Sequence, residues 1–315
     1  MPARPARYRR PLSHLAPSTL RALQLTKHIG PDMLFYHQSL AVDALLTDGA
    51  PAVVVSTSTA SGKSLCYNIP VLEALAADPS ACALYMFPTK ALAQDQLRAL
   101  QDLVAAAFAP DLEEDGGADA PQQLPVVAVY DGDTSQGERP GIRDRAQLLI
   151  TNPDMLHLSI LPFHGQFRRM LANLRQVSRP GWGLGSGFGM FRDKSLHDWM
   201  RIGRYVVVDE GHAYRGVFGC HTAFVLRRLR RICEREYGSS PRFIVTSATV
   251  ANPAEHVEEL LGLPGVVGKS SCVDVAAAHG MAGSELVPGL LLPRKWSART
   301  GPRPAPSRSR CGTRR

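Results

Sequence analysis

From residue 50 onward, six short apolar runs recur along the chain, at 52–55, 83–87, 126–130, 148–151, 205–208 and 243–246. Each is almost continuously hydrophobic rather than alternating, the pattern of a strand covered on both faces. Longer stretches with helical spacing separate them, at 63–76, 90–105, 153–160, 165–175, 217–236 and 253–261. This alternation predicts an α/β domain built on a mostly parallel sheet with helices on both faces. In such sheets ligands bind beyond the carboxyl ends of the strands, so the residues after each run are the ones to read for chemistry.

Three stretches break the pattern. Residues 110–125 carry Asp111, Glu113, Glu114, Asp115, Gly116, Gly117 and Asp119, which predicts a solvated surface loop. Residues 176–204 form a glycine-rich insertion in which Gly181, Gly183, Gly185, Gly187 and Gly189 alternate with other residues, among them Trp182 and Phe188. Its G-S-G-F-G resembles part of a dinucleotide fingerprint, but no strand feeds it and no suitable helix follows. After residue 263 the periodicity fades, and 264–315 are expected to form a disordered basic tail rich in Pro, Ser, Gly and Arg. The domain is therefore placed at 12–263, behind a basic arm at 1–11.

The first 31 residues contain no acid and include Ser13, Ser18 and Thr19, a composition shared with organelle transit peptides. Leu12, Leu15, Leu20 and Leu23 have roughly helical spacing, which instead predicts an amphipathic helix lying on the domain. With 315 residues, 44% hydrophobic and 20% charged, the chain can bury an ordinary core. The net charge of +8 does not by itself indicate nucleic acid: the two ends hold 12 of the 36 basic residues and no acid, leaving residues 11–293 at −4. Six scattered cysteines without a C-x-x-C pair signal neither zinc nor a disulfide framework, and predict reduced intracellular thiols. No run of 18 apolar residues suggests a membrane span.

Candidate chemistry follows two of the strands. After the run at 52–55 comes Thr57-Ser58-Thr59-Ala60-Ser61-Gly62-Lys63-Ser64 and then a helix, the context of a phosphate-binding loop. Its backbone N–H groups and helix N-terminus present positive dipole ends to phosphate, Lys63 adds a full charge, and Ser64 offers a hydroxyl to Mg²⁺. Thr57 stands where the usual pattern has its first glycine. The run at 205–208 leads into Asp209-Glu210-Gly211-His212, where one carboxylate can hold Mg²⁺ and its neighbour can orient or deprotonate a water.

The ordered set Phe35-Tyr36-His37-Gln38, S-G-K-S, Phe87-Pro88-Thr89-Lys90-Ala91-Leu92-Ala93-Gln94-Asp95-Gln96, Tyr130-Asp131-Gly132-Asp133-Thr134, Thr151-Asn152-Pro153-Asp154-Met155-Leu156-His157, D-E-G-H and Ser247-Ala248-Thr249 resembles the motif series of DEAD/DEAH-box superfamily 2 helicases. Within them the chain is most similar to the RecQ-like 3′-5′ DNA repair helicases related to mitomycin repair factor A, over about residues 12–263. The resemblance implies a RecA-like P-loop NTPase fold using ATP and Mg²⁺. It implies that Gln38 reads the adenine edge and Tyr36 helps to position the base. Lys63 and Ser64 take phosphate and Mg²⁺, Asp209 holds Mg²⁺, and Glu210 is the catalytic base. Ser247, Ala248 and Thr249 couple nucleotide state to strand movement, with His212 as the relay. Thr89, Lys90 and Thr151 contact a single or partly unwound DNA strand through its backbone. As residues alone, Thr89 after Pro88 also fits a helix N-cap, and His212 a structural hydrogen bond. Arg227, Arg228, Arg230, Arg231 and Arg235 form either a phosphate-binding stripe or a solvated face.

The chain departs from the family in two ways. Only 66 residues follow Thr249 and no Q-x-x-G-R-x-x-R occurs, so a second RecA-like domain with its arginine finger is expected to be absent. Arg175 and Tyr205 are separated by 29 residues where the family runs directly on, which suggests translated non-coding sequence or a loop beside the carboxylates. The leading expectation is a nucleic-acid-dependent ATPase of the helicase class acting in DNA repair. The alternative is an ATP- and strand-binding module without turnover, while Gln38 and S-A-T argue against a small-molecule kinase. The implied location is intracellular, in the nucleus, with chloroplast or mitochondrion as the alternative.

Overall fold

All six apolar runs form strands in the computed structural model: β1 (Ala52–Ser56), β2 (Ala83–Met86), β3 (Val126–Val129), β4 (Ala146–Thr151), β5 (Tyr205–Val208) and β6 (Arg242–Ser247). The structure describes residues 6–109, 124–173, 205–265, 267 and 272–274, all within one compact unit, Met1–Gly280. The acidic loop, apart from 124 and 125, lies outside the described residues, as do the glycine-rich insertion and most of the expected tail. A seventh strand, β7 (Cys272–Asp274), pairs with β1 and corrects the domain end placed at 263. Three residues carry too little periodicity to announce a strand; the open edge of β1 supplies the hydrogen bonds that make one.

The sheet is parallel throughout, in the order β3-β4-β2-β5-β6-β1-β7. Its strands alternate between two cores. Val53, Val55, Tyr85, Ile150, Val207 and Ile244 face one helix layer, packing with Tyr67, Leu72, Leu100 and Leu103. Ala52, Val54, Leu84, Met86, Val206, Val208 and Val245 face the other, with Leu226, Leu229, Val257 and Leu261. Burying both faces explains why the runs read as continuously apolar.

The first layer contains α1 (Pro17–Lys27), α2 (Tyr36–Leu46), α3 (Ser64–Ala77) and α4 (Lys90–Phe108). Short helices α5 (Glu138–Arg145), α6 (Pro153–Met155) and α7 (Arg168–Ala172) come next, and α8 (Gly216–Tyr237) and α9 (Pro253–Leu261) pack together in the second layer. Three differences from the sequence pattern have local causes. Helix α2 buries His37 to Ser39 and Ala41 to Leu45, so it has no polar stripe to mark it. Helix α5 buries none of its residues, so it has no apolar stripe. The stretch 153–160 is one α-turn leading into a π-helical turn, Leu156–Ile160, rather than one α-helix.

The described part of the basic N-terminal arm is tied to the domain. Tyr8 pairs with Phe35 in an antiparallel bridge, Arg9 N–H donates to Leu34 O at 2.9 Å, and Tyr36 N–H donates to Arg7 O at 2.9 Å. Buried Asp43 anchors the turn at Leu12 and Ser13, accepting from Leu12 N–H at 2.7 Å and Ser13 N–H at 3.3 Å, and it pairs with Arg9 at 3.1 Å. The leucine spacing counts only in part, because the helix begins at Pro17 and Leu12 is exposed outside it.

Candidate nucleotide site

Strand β1 ends at Ser56, and eight residues turn the chain into α3. Thr57 is buried; its N–H donates to Ser247 O at 3.2 Å and its hydroxyl meets that of Ser61 at 2.5 Å. Its φ lies outside the left-handed region, so the position needs no glycine. The left-handed turns fall instead at Ala60, φ +58°, and Gly62, φ +74°. Among the described residues, no backbone N–H from Ser58 to Ser64 donates to another protein group. A run of free N–H groups at a helix N-terminus is an anion cradle, and this one fits a nucleotide's phosphates. Lys63 folds over it, donating to Thr57 O at 3.3 Å and Ser58 O at 2.9 Å, while Ser64 starts α3 half-buried.

Gly62 is held from below by Gln38. The Gln38 amide donates to Gly62 O at 2.9 Å and accepts from Phe35 N–H at 2.9 Å, and the side chain is buried. Gln38 therefore braces the loop against the start of α2, with one donor and one acceptor already used. Tyr36 is partly exposed and lies under the Arg9 guanidinium at 5.9 Å. Tyr8, Phe35 and His37 stack in sequence, with ring centroids 5.4 and 5.8 Å apart. Burial beside the loop pushes the His37 imidazole below its ordinary value, and the Lys63 charge adds to that.

The carboxylates sit across the sheet's carboxyl edge. Asp209 N–H donates to Met86 O at 3.0 Å. Its Oδ1 accepts from Glu210 N–H at 2.9 Å and from the Thr246 hydroxyl, and its Oδ2 from Tyr67 OH at 3.4 Å. Glu210 has φ +52°, a left-handed backbone that a non-glycine residue holds at a cost of about 1–2 kcal/mol. Such strain concentrates at functional turns. His212 Nδ1 lies 3.1 Å from Glu210 Oε2 and 3.3 Å from Ala248 N. These neighbours make opposite demands: a bare Nδ1 accepts from Ala248 N–H, whereas a protonated one donates to Glu210.

Ser247-Ala248-Thr249 joins the two halves. Ser247 O accepts from Thr57 N–H, Ala248 O from the Ser56 hydroxyl at 3.5 Å, and Ala248 N–H faces His212. The Ser247 hydroxyl is buried without a partner among the described residues, and Thr249 is exposed. Thr246 and Tyr67, both on Asp209, were not singled out from sequence. Strand alternation could have placed Thr246 opposite Val245, but nothing local marks Tyr67, one turn inside a buried helix.

The three residues expected to touch a strand separate. Thr89 is exposed and caps α4, its hydroxyl accepting from Leu92 N–H at 3.4 Å, and Lys90 is exposed and paired with Asp133 at 2.7 Å. Thr151 is buried and its hydroxyl donates to Tyr130 O at 2.8 Å, so its side chain is consumed inside the sheet end. A strand contact at Thr151 is therefore left to its backbone. The arginine row on α8 divides as well. Arg227 donates to Glu259 O at 2.9 Å and Arg230 to Leu261 O at 3.0 Å, so both close the carboxyl end of α9.

The sequence profile of the DEAD/DEAH box helicase family matches residues 35–257, from the start of the Gln38 turn into α9. The chain belongs to the DEAD/DEAH box helicases. Within this family it is 42% identical over 235 residues to the uncharacterized ATP-dependent helicase YprA of Bacillus subtilis (strain 168), covering 75% of this chain and 25% of that protein. It is 35% identical over 264 residues to the ATP-dependent helicase HRQ1 of Saccharomyces cerevisiae, covering 84% of this chain and 20% of that one. The chain thus spans a fifth to a quarter of these relatives. Its structure is similar to that of the DUF1998 helicase MrfA bound to DNA and AMPPNP, with TM-score 0.64 and 40% identity over 82% of this chain and 30% of that one. The fold is the RecA-like helicase fold with a parallel sheet; the DEAD-box helicase Mss116, 14% identical with TM-score 0.54, shares it.

Proposed function

We propose that this chain is the ATP-binding and ATP-hydrolysing domain of a DNA helicase, coupling turnover to movement along a single or partly unwound strand. One observation carries the reading. The S-A-T segment is hydrogen-bonded at once to the phosphate loop, through Thr57 and Ser56, and to the D-E-G-H turn, through His212. A phosphate cradle and an acidic pair wired to one shared segment suit an engine better than a passive binder. MrfA, 40% identical, has been seen with DNA and AMPPNP, which supports the choice of DNA and ATP.

In this reading the free N–H groups of Ser58 to Ser64 and the Lys63 ammonium hold the phosphates, and Lys63 gives up its hold on Thr57 O and Ser58 O to do so. Ser64 and Asp209 would hold Mg²⁺, which would neutralise charge developing on the phosphates. Asp209 is kept in place by the Glu210 N–H, Thr246 and Tyr67. Glu210 orients the attacking water and takes its proton at a carboxylate oxygen. Protonated Glu210 then donates to the His212 Nδ1 lone pair, the same one that accepts from Ala248 N–H, so the two donors compete for it. The S-A-T segment thereby senses the proton on Glu210. Thr89 and Lys90, at the start of α4, grip strand phosphates without reading sequence.

ATP turnover with and without single-stranded DNA tests this, with Lys63→Ala and Glu210→Gln as controls. The expected result is stimulation by the strand, loss of nucleotide binding in Lys63→Ala, and retained binding without turnover in Glu210→Gln. Equal turnover in all three proteins overturns the reading. Binding abolished by Lys63→Ala, but no turnover in the parent chain, reduces it to a nucleotide-binding module.

A further inference from the structure

The Tyr67 hydroxyl lies 3.4 Å from Asp209 Oδ2 and 3.4 Å from Gln96 Oε1. These acceptors belong to different parts of the machine. Asp209 ends β5 in the nucleotide site, whereas Gln96 lies two turns into α4, the helix whose first residues are Thr89 and Lys90. Tyr67 itself is on α3, directly after the phosphate loop, and is almost wholly buried with its ring edge-on to Tyr85 at 5.8 Å. The ring cannot swing to favour either acceptor, so the only remaining freedom is rotation of the O–H bond.

We propose that Tyr67 is a positioning residue whose single hydroxyl proton is shared between Asp209 and Gln96, linking the nucleotide site to the strand-gripping end of α4. The link rests on the ATP and strand reading proposed for the site. A phenol has one hydrogen to donate, so it serves one acceptor at a time. At equal distance the charged carboxylate takes it, because hydrogen bonds to ionised acceptors are the stronger. Mg²⁺ held by Asp209 would draw on the carboxylate's charge, so that advantage would fall and the proton would turn to Gln96. Gln96 is then fixed, and with it the register of α4, which carries Thr89 and Lys90. Burial and the Asp209 charge both push the phenol well above its ordinary range, so it stays protonated throughout. A second tie runs the same way: Asp209 N–H holds Met86 O, three residues before Thr89.

The readout is the linkage between two binding events, which packing alone would not set. The affinity of the full chain for a fluorescent oligothymidylate is measured with and without Mg-AMPPNP, and the ratio is the coupling factor. For the parent chain a factor of about five or more is expected. Tyr67→Phe keeps the ring and removes only the proton, and Gln96→Leu keeps the volume and removes the amide. Each is expected to lower the factor about threefold or more, and the double variant to lower it no further. A factor unchanged in Tyr67→Phe, additive losses in the double variant, or a parent chain that binds both ligands without linkage overturns the proposal. Gln96 is only half-buried, so Gln96→Leu remains informative if Tyr67→Phe unfolds. A parent chain that binds no nucleotide, behaving as Lys63→Ala does, refutes the underlying reading of the site instead.

Discussion

Gly62 is the position where the structure makes the sharpest quantitative demand. Its φ of +74° is left-handed, and a Cβ built there would lie 2.6 Å from Gln38 Nε2. Ordinary contact needs about 3.4 Å, so in Gly62→Ala the amide must retreat by about 0.8 Å. That retreat breaks the 2.9 Å bond to Gly62 O and disturbs the one from Phe35 N–H. A left-handed L-residue costs about 1–2 kcal/mol. A lost buried hydrogen bond costs about 1 kcal/mol more, rising to about 3 if the donor is left unpaired. Reduced freedom of the unfolded chain offsets about 0.4–1 kcal/mol. The net expectation is a loss of about 1–4.6 kcal/mol in urea unfolding, with a parallel fall in Mg-ATP affinity measured by calorimetry. Gln38→Ala separates the two causes, because it removes the clash and leaves the backbone conformation. The double variant should therefore be less damaged than the sum of the singles, by about 1 kcal/mol. A Gly62→Ala chain within 0.5 kcal/mol of its parent, with unchanged affinity, would refute the argument.

Other expectations come from the same geometry. Ala60→Gly removes a left-handed alanine and should raise stability by about 0.5–1 kcal/mol in urea unfolding, with nucleotide affinity retained. Thr151→Val should cost stability through the lost bond to Tyr130 O but leave strand affinity intact, whereas Lys90→Ala should weaken strand binding and flatten its dependence on salt; equal effects in both would contradict the separation of these residues. Arg230→Ala, which uncovers carbonyls at the end of α9, should cost about 1–2 kcal/mol in unfolding, and no change would show that those carbonyls do not need it. His37 is depressed by burial, so its neutral form is favoured in the folded chain and its contribution is present above about pH 6.5. As pH falls below that value the unfolded chain gains the proton first, and stability declines. His37→Phe should make the decline between pH 6.5 and 5 shallower, and parallel curves for the two proteins would refute the assignment.

The sequence patterns recovered the strands closely because burying both faces of a parallel sheet leaves an uninterrupted apolar run. Helices with one wet face, such as α8, were equally legible, whereas α2 was hidden because it is covered nearly all round. The S-G-K-S and D-E-G-H segments were readable because each works through residues adjacent in sequence. Thr57 was the one irregular letter, and the structure removes the irregularity: the loop turns at Ala60 and Gly62 instead.

Local sequence therefore determined this protein's α/β plan, its phosphate loop and its acidic pair, since strand, turn and helix preferences act over a few residues. It could not determine which distant groups complete them. Gln38 reaches Gly62 across 24 positions, Tyr67 reaches Asp209 across 142, and Thr57 reaches Ser247 because β1 and β6 are neighbours in the sheet. The register of β4 against β2 and β3 decided that the Thr151 side chain is buried. Those pairings depend on strand order, and strand order is settled only when the whole sheet and both helix layers pack at once.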